Sequence, residues 1–561
     1  MEPGSVPVSK VSSLSANFSR RVHLWKPGIF LVAAIFSLPT VTIASFLLYP
    51  STEVWQHLRT TVLSEYLFNS AMLMLGVGAG TLVIGVGCAW LTSLCTFPGK
   101  KLFAWALLMP LAFPGYIIAY TYTGMFDFAG PVQSWLRELT GWGGRDYYFP
   151  EIRSLGGAIT MFSLVLYPYV YLMSRAAFLE QSVCVLEVSR TLGCSVWSSF
   201  YRVALPLARP AIVAGVALAL METLADYGTV SFFGLGVFTT GIFRTWFGLG
   251  DSAAAAKLAA ILLMFVFALV IIERWSRKRA QYHHTSNRYT KLPQYRLRGY
   301  RAGLAFLACF IPLFLGFILP AGQLLIWGLE TYGAMVDASF VRLTLNSILL
   351  SASAAVLAVL LALFLGYGKR LFAGKAVSAS IRVVASGYAI PGTVVAVGII
   401  IPLAWFDNQV DALMRAQFDV ASGLLLSGSL FALMFAYLVR FLAVSVQSVE
   451  SGLGKIRKSM DEAARSLSYT PAQILLRVHL PLMKATVLTA FLIVFVDVMK
   501  ELPATLILRP FNFNTLAVRT FELAGDERLA DSSTAALMIV AVGLVPVLLL
   551  SRSISHARAG S

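Results

Sequence analysis

Apolar runs long enough to cross a hydrocarbon core recur along the whole chain, separated by short polar stretches. A helical span needs about 20 mostly apolar residues. Residues 28–48 and 302–327 meet this with no charged residue at all. Further runs lie near 68–95, 102–124, 155–174, 211–233, 253–272, 343–368, 376–405, 423–445, 485–506 and 534–550. The pattern predicts an all-α membrane protein with about twelve spans. The first run is long and is followed by no clear small-residue cleavage site, so it is expected to stay as a span.

The polar stretches repeat. Residues Glu187 to Ile212 read EVSRTLGCSVWSSFYRVALPLARPAI, and Glu462 to Val487 read EAARSLSYTPAQILLRVHLPLMKATV. Glu187 pairs with Glu462, Arg202 with Arg477, Leu205 with Leu480 and Pro206 with Pro481, all at one offset in the numbering. Asn69-Ser70 recurs as Asn346-Ser347, and Pro114-Gly115 as Pro391-Gly392, at an offset that differs from the first by only two. The chain therefore divides into a tail (1–27), a first half (28–272, polar loop about 180–210), a basic linker (273–301), a second half (302–551, polar loop about 446–484) and a short tail (552–561). Six spans per half is an even number, so the copies run parallel, with a pseudo-two-fold axis expected along the membrane normal.

Composition agrees. Of 561 residues, 58% are apolar and only 13% charged, with a mean hydropathy of +0.76. That is too apolar for a chain that must cover a water-facing surface. The net charge of +17 reflects topology rather than nucleic acid. Residues 274–301 hold nine Lys/Arg and no Asp/Glu. Lys10, Arg20, Arg21, Lys26, Lys100, Lys101, Lys369, Arg370 and Lys375 fall on the same side of a twelve-span arrangement, and acids such as Asp127, Asp146, Asp407 and Asp531 on the other. The positive-inside rule then puts both termini in the cytoplasm. The five cysteines show no metal-ligand spacing and imply no disulfide framework. His283-His284 sits in the basic linker, where a solvated segment explains it better than a metal.

Each polar loop reads as helix, turn, second short helix, then re-entry into the membrane at Leu-Pro, where proline suits a helix start. Gly193 can take the left-handed turn that ends the first short helix of its loop. In these residues the chain resembles the permease subunits of ABC importers, whose signature is Glu-Ala-Ala, three residues, Gly, and later Leu-Pro. Glu462-Ala463-Ala464 matches it, but Ser468 stands where the family has glycine. Gly193 matches it, but Val188-Ser189 replaces Ala-Ala. A serine held left-handed costs roughly 1 kcal/mol, so the second turn is expected to be shaped differently. The resemblance implies the type I importer permease fold. It also implies a coupling element in each half, built from Glu187, Gly193, Leu205 and Pro206 and from Glu462, Ala463, Ala464, Ser468, Leu480 and Pro481, each seated on an ATPase subunit.

The fifth span of each half carries acids. Glu222 matches Asp497 and Asp226 matches Glu501, at the same offset as the polar loops, and within each half the two lie four residues apart. That spacing puts both on one face of a continuous helix. Ionisable groups in a membrane are costly and mark a pathway or a partner. Two readings stand: a cation-handling gate, since hard cations favour oxygen ligands, or a structural role through pairing with Lys500, with Arg244 or across the halves. Tyr116, Tyr120, Tyr122 and Tyr227 add phenols nearby, for which packing is the default reading. Residues 222–229 (ETLADYGT), with Phe238 to Ile242, Trp246-Phe247 and Lys500 to Thr505, look like the ferric-iron importer permeases.

The resemblance implies a fused membrane subunit in a bacterial inner membrane. A periplasmic solute-binding protein would deliver ferric iron, and two ABC ATPase subunits would dock at the loops. No phosphate-binding Gly-x-x-x-x-Gly-Lys-[Ser/Thr] appears, so ATP is expected to be used by the partner, with no cofactor and no reaction in this chain. Thiamine and phosphonate permeases are the alternatives within the class. A secondary transporter using the acids as proton sites is the alternative outside it.

Overall fold

The computed structural model describes residues 25–180, 196–278, 295–372 and 374–556. The spans are helical because the chain is apolar on every face and must satisfy its backbone internally. They are α1 (Trp25–Ser45), α2 (Leu63–Leu94), α3 (Gly115–Phe126), α4 (Leu155–Glu180), α5 (Leu205–Ala225) and α6 (Ser252–Lys278), then α7 (Tyr300–Met335), α8 (Ala338–Leu371), α9 (Gly392–Phe418), α10 (Leu430–Gly454), α11 (Lys484–Met499) and α12 (Leu529–His556). Among the described residues ten helices are long and apolar enough to cross a membrane. Two bent pairs bring the number to twelve if each counts once: Lys100–Ala112 with Gly115–Thr140, bent by 92°, and Pro471–Leu482 with α11, bent by 84°. The one departure from helix among the described elements is a two-residue parallel ladder, Cys95 and Thr96 beside Tyr295 and Arg296. It ties the chain just before α7 to the end of α2.

Four runs expected as single spans are interrupted. The runs 102–124 and 376–405 break at Pro114-Gly115 and Pro391-Gly392, where new helices begin at Gly115 and Gly392. The preceding residues Phe113 and Ile390 are extended (ψ 126° and 127°), as the proline that follows requires. The runs 211–233 and 485–506 break after Ala225 and Met499, and short helices Gly228–Phe232 and Pro503–Leu508 follow. Hydropathy does not register such breaks, because the residues on both sides stay apolar.

The first span of each half lies on the opposite half. α1 packs on α8 and α9: Trp25 Nε1 donates to the Phe364 carbonyl at 2.8 Å and its ring stacks on Phe364 at 5.1 Å. A Cβ on Gly398 of α9 would stand 2.6 Å from the Pro39 carbonyl oxygen, so that glycine is what lets α1 approach. α7 in turn packs on the first half. Tyr122 donates to the Leu315 carbonyl, Phe306 meets Phe103 at 5.2 Å, and Phe317 meets Phe113 at 5.4 Å.

Candidate functional site

The helix breaks position the acids. Asp226 follows the last residue of α5 with ψ 136°, outside the helix, so its carboxylate turns forward onto the short helix after it. It accepts from Thr229 N (2.8 Å), Thr229 Oγ1 (3.1 Å) and Val230 N (3.4 Å). Glu501 does the same in the second half, accepting from Ala504 N (3.0 Å), Thr505 N (3.1 Å) and Thr505 Oγ1 (2.7 Å). Both satisfy N–H groups that a helix start leaves unpaired. The expected common face for Glu222 with Asp226, and for Asp497 with Glu501, is therefore corrected. The first acid of each pair projects from the helix, and the second caps what comes after it.

The repeated Pro-Gly explains itself here. A Cβ on Gly115 would lie 2.9 Å from Thr229 Oγ1 and 3.3 Å from Asp226 Oδ2. One on Gly392 would lie 2.6 Å from Glu501 Oε1. Two repeat signals far apart in sequence are one contact in space: each glycine clears room for the capping carboxylate opposite.

All four acids line one cavity between the halves, holding about 110 Å³ of water-accessible space. Its walls differ. On the second-half side Arg440 Nη1 donates to Glu501 at 2.9 Å, and Lys500 Nζ pairs with Asp497 at 2.9 Å. The repeat-related positions in the first half, Val165 and Ala225, also line the cavity but carry no charge. Among the described residues neither Glu222 nor Asp226 is in an ion pair, although Arg440 and Lys500 interact electrostatically with Glu222 across the cavity. Glu222 receives the Tyr388 hydroxyl at 3.0 Å, from the other half. The expected pairing with Lys500 is present, whereas Arg244 stands beside Tyr66 and does not line the cavity.

Of the four tyrosines singled out in the sequence, only Tyr116 lines this cavity; it is buried, and its hydroxyl has no partner among the described residues. Tyr122 is committed to the Leu315 carbonyl and Tyr227 is stacked on Phe243 at 3.7 Å. Tyr169, Tyr388 and Arg440 line the cavity without having been singled out, because each lies on a segment with no repeat signal at that position. Among the described residues no group of three or more His, Cys, Asp or Glu side chains is placed to hold a metal ion. The acids form a charged lining, not a cage.

The second polar loop is a helix, Lys458–Ser466, with Glu462 and Ala463 exposed and Ala464 buried. Its end corrects the expectation for Ser468, which takes the left-handed conformation (φ 61°) that glycine would. Ser468 N donates to Arg465 O at 2.9 Å and Tyr469 N to Ala464 O at 3.1 Å, the paired bonds that close a helix around a left-handed residue. Those two bonds, with Tyr469 and Ala464 packed in the same cluster, hold the serine there. Thr470 and Gln473 then cap the next helix reciprocally, with Pro471 in its first turn. Leu480 and Pro481 fall in a short turn before the bend into α11. In the first half Leu205 and Pro206 open α5, while Glu187 and Gly193 lie outside the described residues.

Comparisons with known proteins agree on the class. The family described as "binding-protein-dependent transport system inner membrane component" matches residues 82–281. A Fe(3+)-transport system permease protein of Haemophilus influenzae is 25% identical over 95% of this chain and 99% of its own length. A putative ferric transport system permease protein of the same organism is 24% identical over 86% of this chain and 76% of its own. A molybdenum transport system permease protein of Escherichia coli is 29% identical over only 36% of this chain but 89% of its own length, the size of one half.

Proposed function

The chain is an inner-membrane permease of the ABC importer class with its two halves fused, and from that premise we propose that it carries ferric iron across the bacterial inner membrane. The observation that carries the reading is the cavity between the halves, lined by Glu222, Asp226, Asp497 and Glu501, with a cation paired to the second two only. A hard, highly charged cation is drawn to carboxylate and phenol oxygens. A lining without a preformed cage suits transport, since a site that binds too well does not release. The same lining disfavours a phosphonate, which would meet four acids. Relatives that cover nearly the whole chain and are named for Fe(3+) transport support the iron reading.

In this proposal a periplasmic binding protein delivers iron to the outer face. Two ATPase subunits bind ATP and close against the cytoplasmic loops, contacting Glu462, Ala463, Ala464, Ser468, Leu480 and Pro481 in one half and Glu187, Gly193, Leu205 and Pro206 in the other. Both termini lie in the cytoplasm. ATP is used by the partner subunits, and this chain binds no cofactor of its own. Glu222 is the acid offered to the passing ion, because its carboxylate is neither a cap nor in an ion pair.

The test is uptake of radiolabelled Fe(III) by cells with and without the gene, in a strain with no second iron system, with ATP depletion as control. Loss of ATP-dependent uptake on deletion supports the proposal. Unchanged iron uptake overturns the substrate and turns the search to thiamine, a cation compatible with the same lining.

A further inference from the structure

The helix Lys458–Ser466 is tied to the bundle by buried polar groups that the cavity does not use. Asp461 receives Arg370 Nε on one carboxylate oxygen at 2.7 Å and lies 2.5 Å from His479 Nε2 through the other. Arg370, near the end of α8, gives its remaining N–H groups to the carbonyls of Leu453 (2.5 Å) and Ile456 (2.9 Å), closing the end of α10. His479 lies on the segment that bends into α11, and its ring meets Tyr367 of α8 edge-on at 5.3 Å. One carboxylate on the loop thus joins α8, α10 and the approach to α11. α11 leads to Asp497 and Lys500 in the cavity wall.

The cluster is desolvated: 12% of the Arg370 side chain is exposed, 9% of Asp461 and none of His479. Burial pushes the Asp461 carboxyl up, but the hydrogen bonds from Arg370 and His479 outweigh it and hold it below the usual range. Asp461 is therefore a carboxylate throughout the neutral range. The imidazole is neutral in this geometry. Its Nε2–H donates to Asp461, and Nδ1 is buried with no partner among the described residues, so a second proton there would be an unpaired buried donor. The other charged group facing the cluster is Arg465, beside Tyr367; Lys369, next to Arg370, is paired with Glu450 at 2.8 Å.

The first half lacks these residue types. By the offsets of the repeat, Leu186 corresponds to Asp461, Ala204 to His479 and Ser93 to Arg370. We propose that Arg370, Asp461 and His479 are positioning residues that carry movement of the second loop into α8 and α11, through residue types that the first half does not repeat at the matching positions. The inference rests on the reading that the loop helix seats an ATPase subunit. Groups tied together by desolvated ion pairs and hydrogen bonds move as one body, which is what lets a displacement at the loop reach the cavity wall.

The test uses the complete transporter, with its ATPase and binding protein, in proteoliposomes. The readout is ATP hydrolysed per radiolabelled Fe(III) delivered. Asp461→Ala and His479→Ala are expected to raise that ratio at least about 5-fold, while His479→Gln, whose amide N–H reaches Asp461, restores it. An unchanged ratio in both alanine variants overturns the inference. If those variants lose the ATPase during purification, a pH series decides. Burial holds the His479 imidazole below its usual range, so the wild-type ratio should rise only as pH falls below the usual imidazole value of about 6.5, and that of His479→Gln should stay flat. Parallel curves overturn the inference. Glu462→Ala separates the two readings. If it leaves ATPase binding and transport intact, the docking premise fails. If it uncouples while the Asp461 and His479 variants do not, only the present inference fails.

Discussion

The two walls of the central cavity descend from one repeat and have become chemically different. Each offers a projecting acid, a capping acid and a glycine that makes room for the cap. On the second-half wall Arg440 and Lys500 each form an ion pair with an acid; on the first-half wall the matching Val165 and Ala225 offer none, and Glu222 feels the two cations only across the cavity. Duplicated acids alone therefore do not define a path. The same carboxylate geometry is structural where a cation sits beside it and available where none does, and the neighbours decide which.

The contrast is broken most severely at Glu501. Glu501→Ala removes a cap and strands buried Arg440, at an expected cost of about 3–5 kcal/mol. Asp226→Ala removes the matching cap with no cation to strand and is expected to cost only about 1 kcal/mol. Thermal unfolding in detergent measures both, and equal losses would mean that the Arg440 pairing is irrelevant to the second wall. Next in size is Glu222→Gln, expected to lower the rate of Fe(III) transport about tenfold, or about 1.4 kcal/mol, with little change in unfolding. Asp497→Asn should lower transport less, because Lys500 already neutralises that acid. A larger loss from Asp497→Asn than from Glu222→Gln would reverse the assignment of the two walls. The smallest effect concerns the loops. Ser468→Gly should stabilise by about 1 kcal/mol by relieving the left-handed serine, leaving transport unchanged. A loss of stability would mean that the serine side chain is needed at that turn.

Much of this was legible in the sequence. The constant offsets between the halves located Pro114-Gly115, Pro391-Gly392 and the four acids, and hydropathy located the spans. The breaks beside those acids were not legible, since a helix and a broken helix of equal apolarity have the same profile. Nor was the contact between each Pro-Gly and its acid, because three helices, α3 to α5 or α9 to α11, lie between them along the chain. His479 had no visible partner in sequence, as Asp461 lies 18 residues away on another element. Ser468 was expected to alter its turn, but paired backbone bonds and packing against Ala464 overrode the local preference. Lateral order within the membrane was also hidden, because hydropathy says that a segment enters lipid and nothing about its neighbour there.

That lateral order has a consequence for how the molecule is made. α1 leaves the ribosome well before α8, and Phe364, on which its Trp25 stacks, follows 339 residues later. At about 5–20 residues per second, that is a wait of roughly 15–70 s in the bilayer with lipid in place of protein. A segment with that history must be content alone, and residues 28–48 hold no charged group that would wait unpaired. α7 waits less: the first half on which it packs is already made, and its other neighbour, α12, which takes Thr331 Oγ1 on the Ala530 carbonyl, follows 199 residues later. Biogenesis thus closes the particle from its second half, and a chain truncated before α8 would leave α1 an orphan for membrane quality control to find.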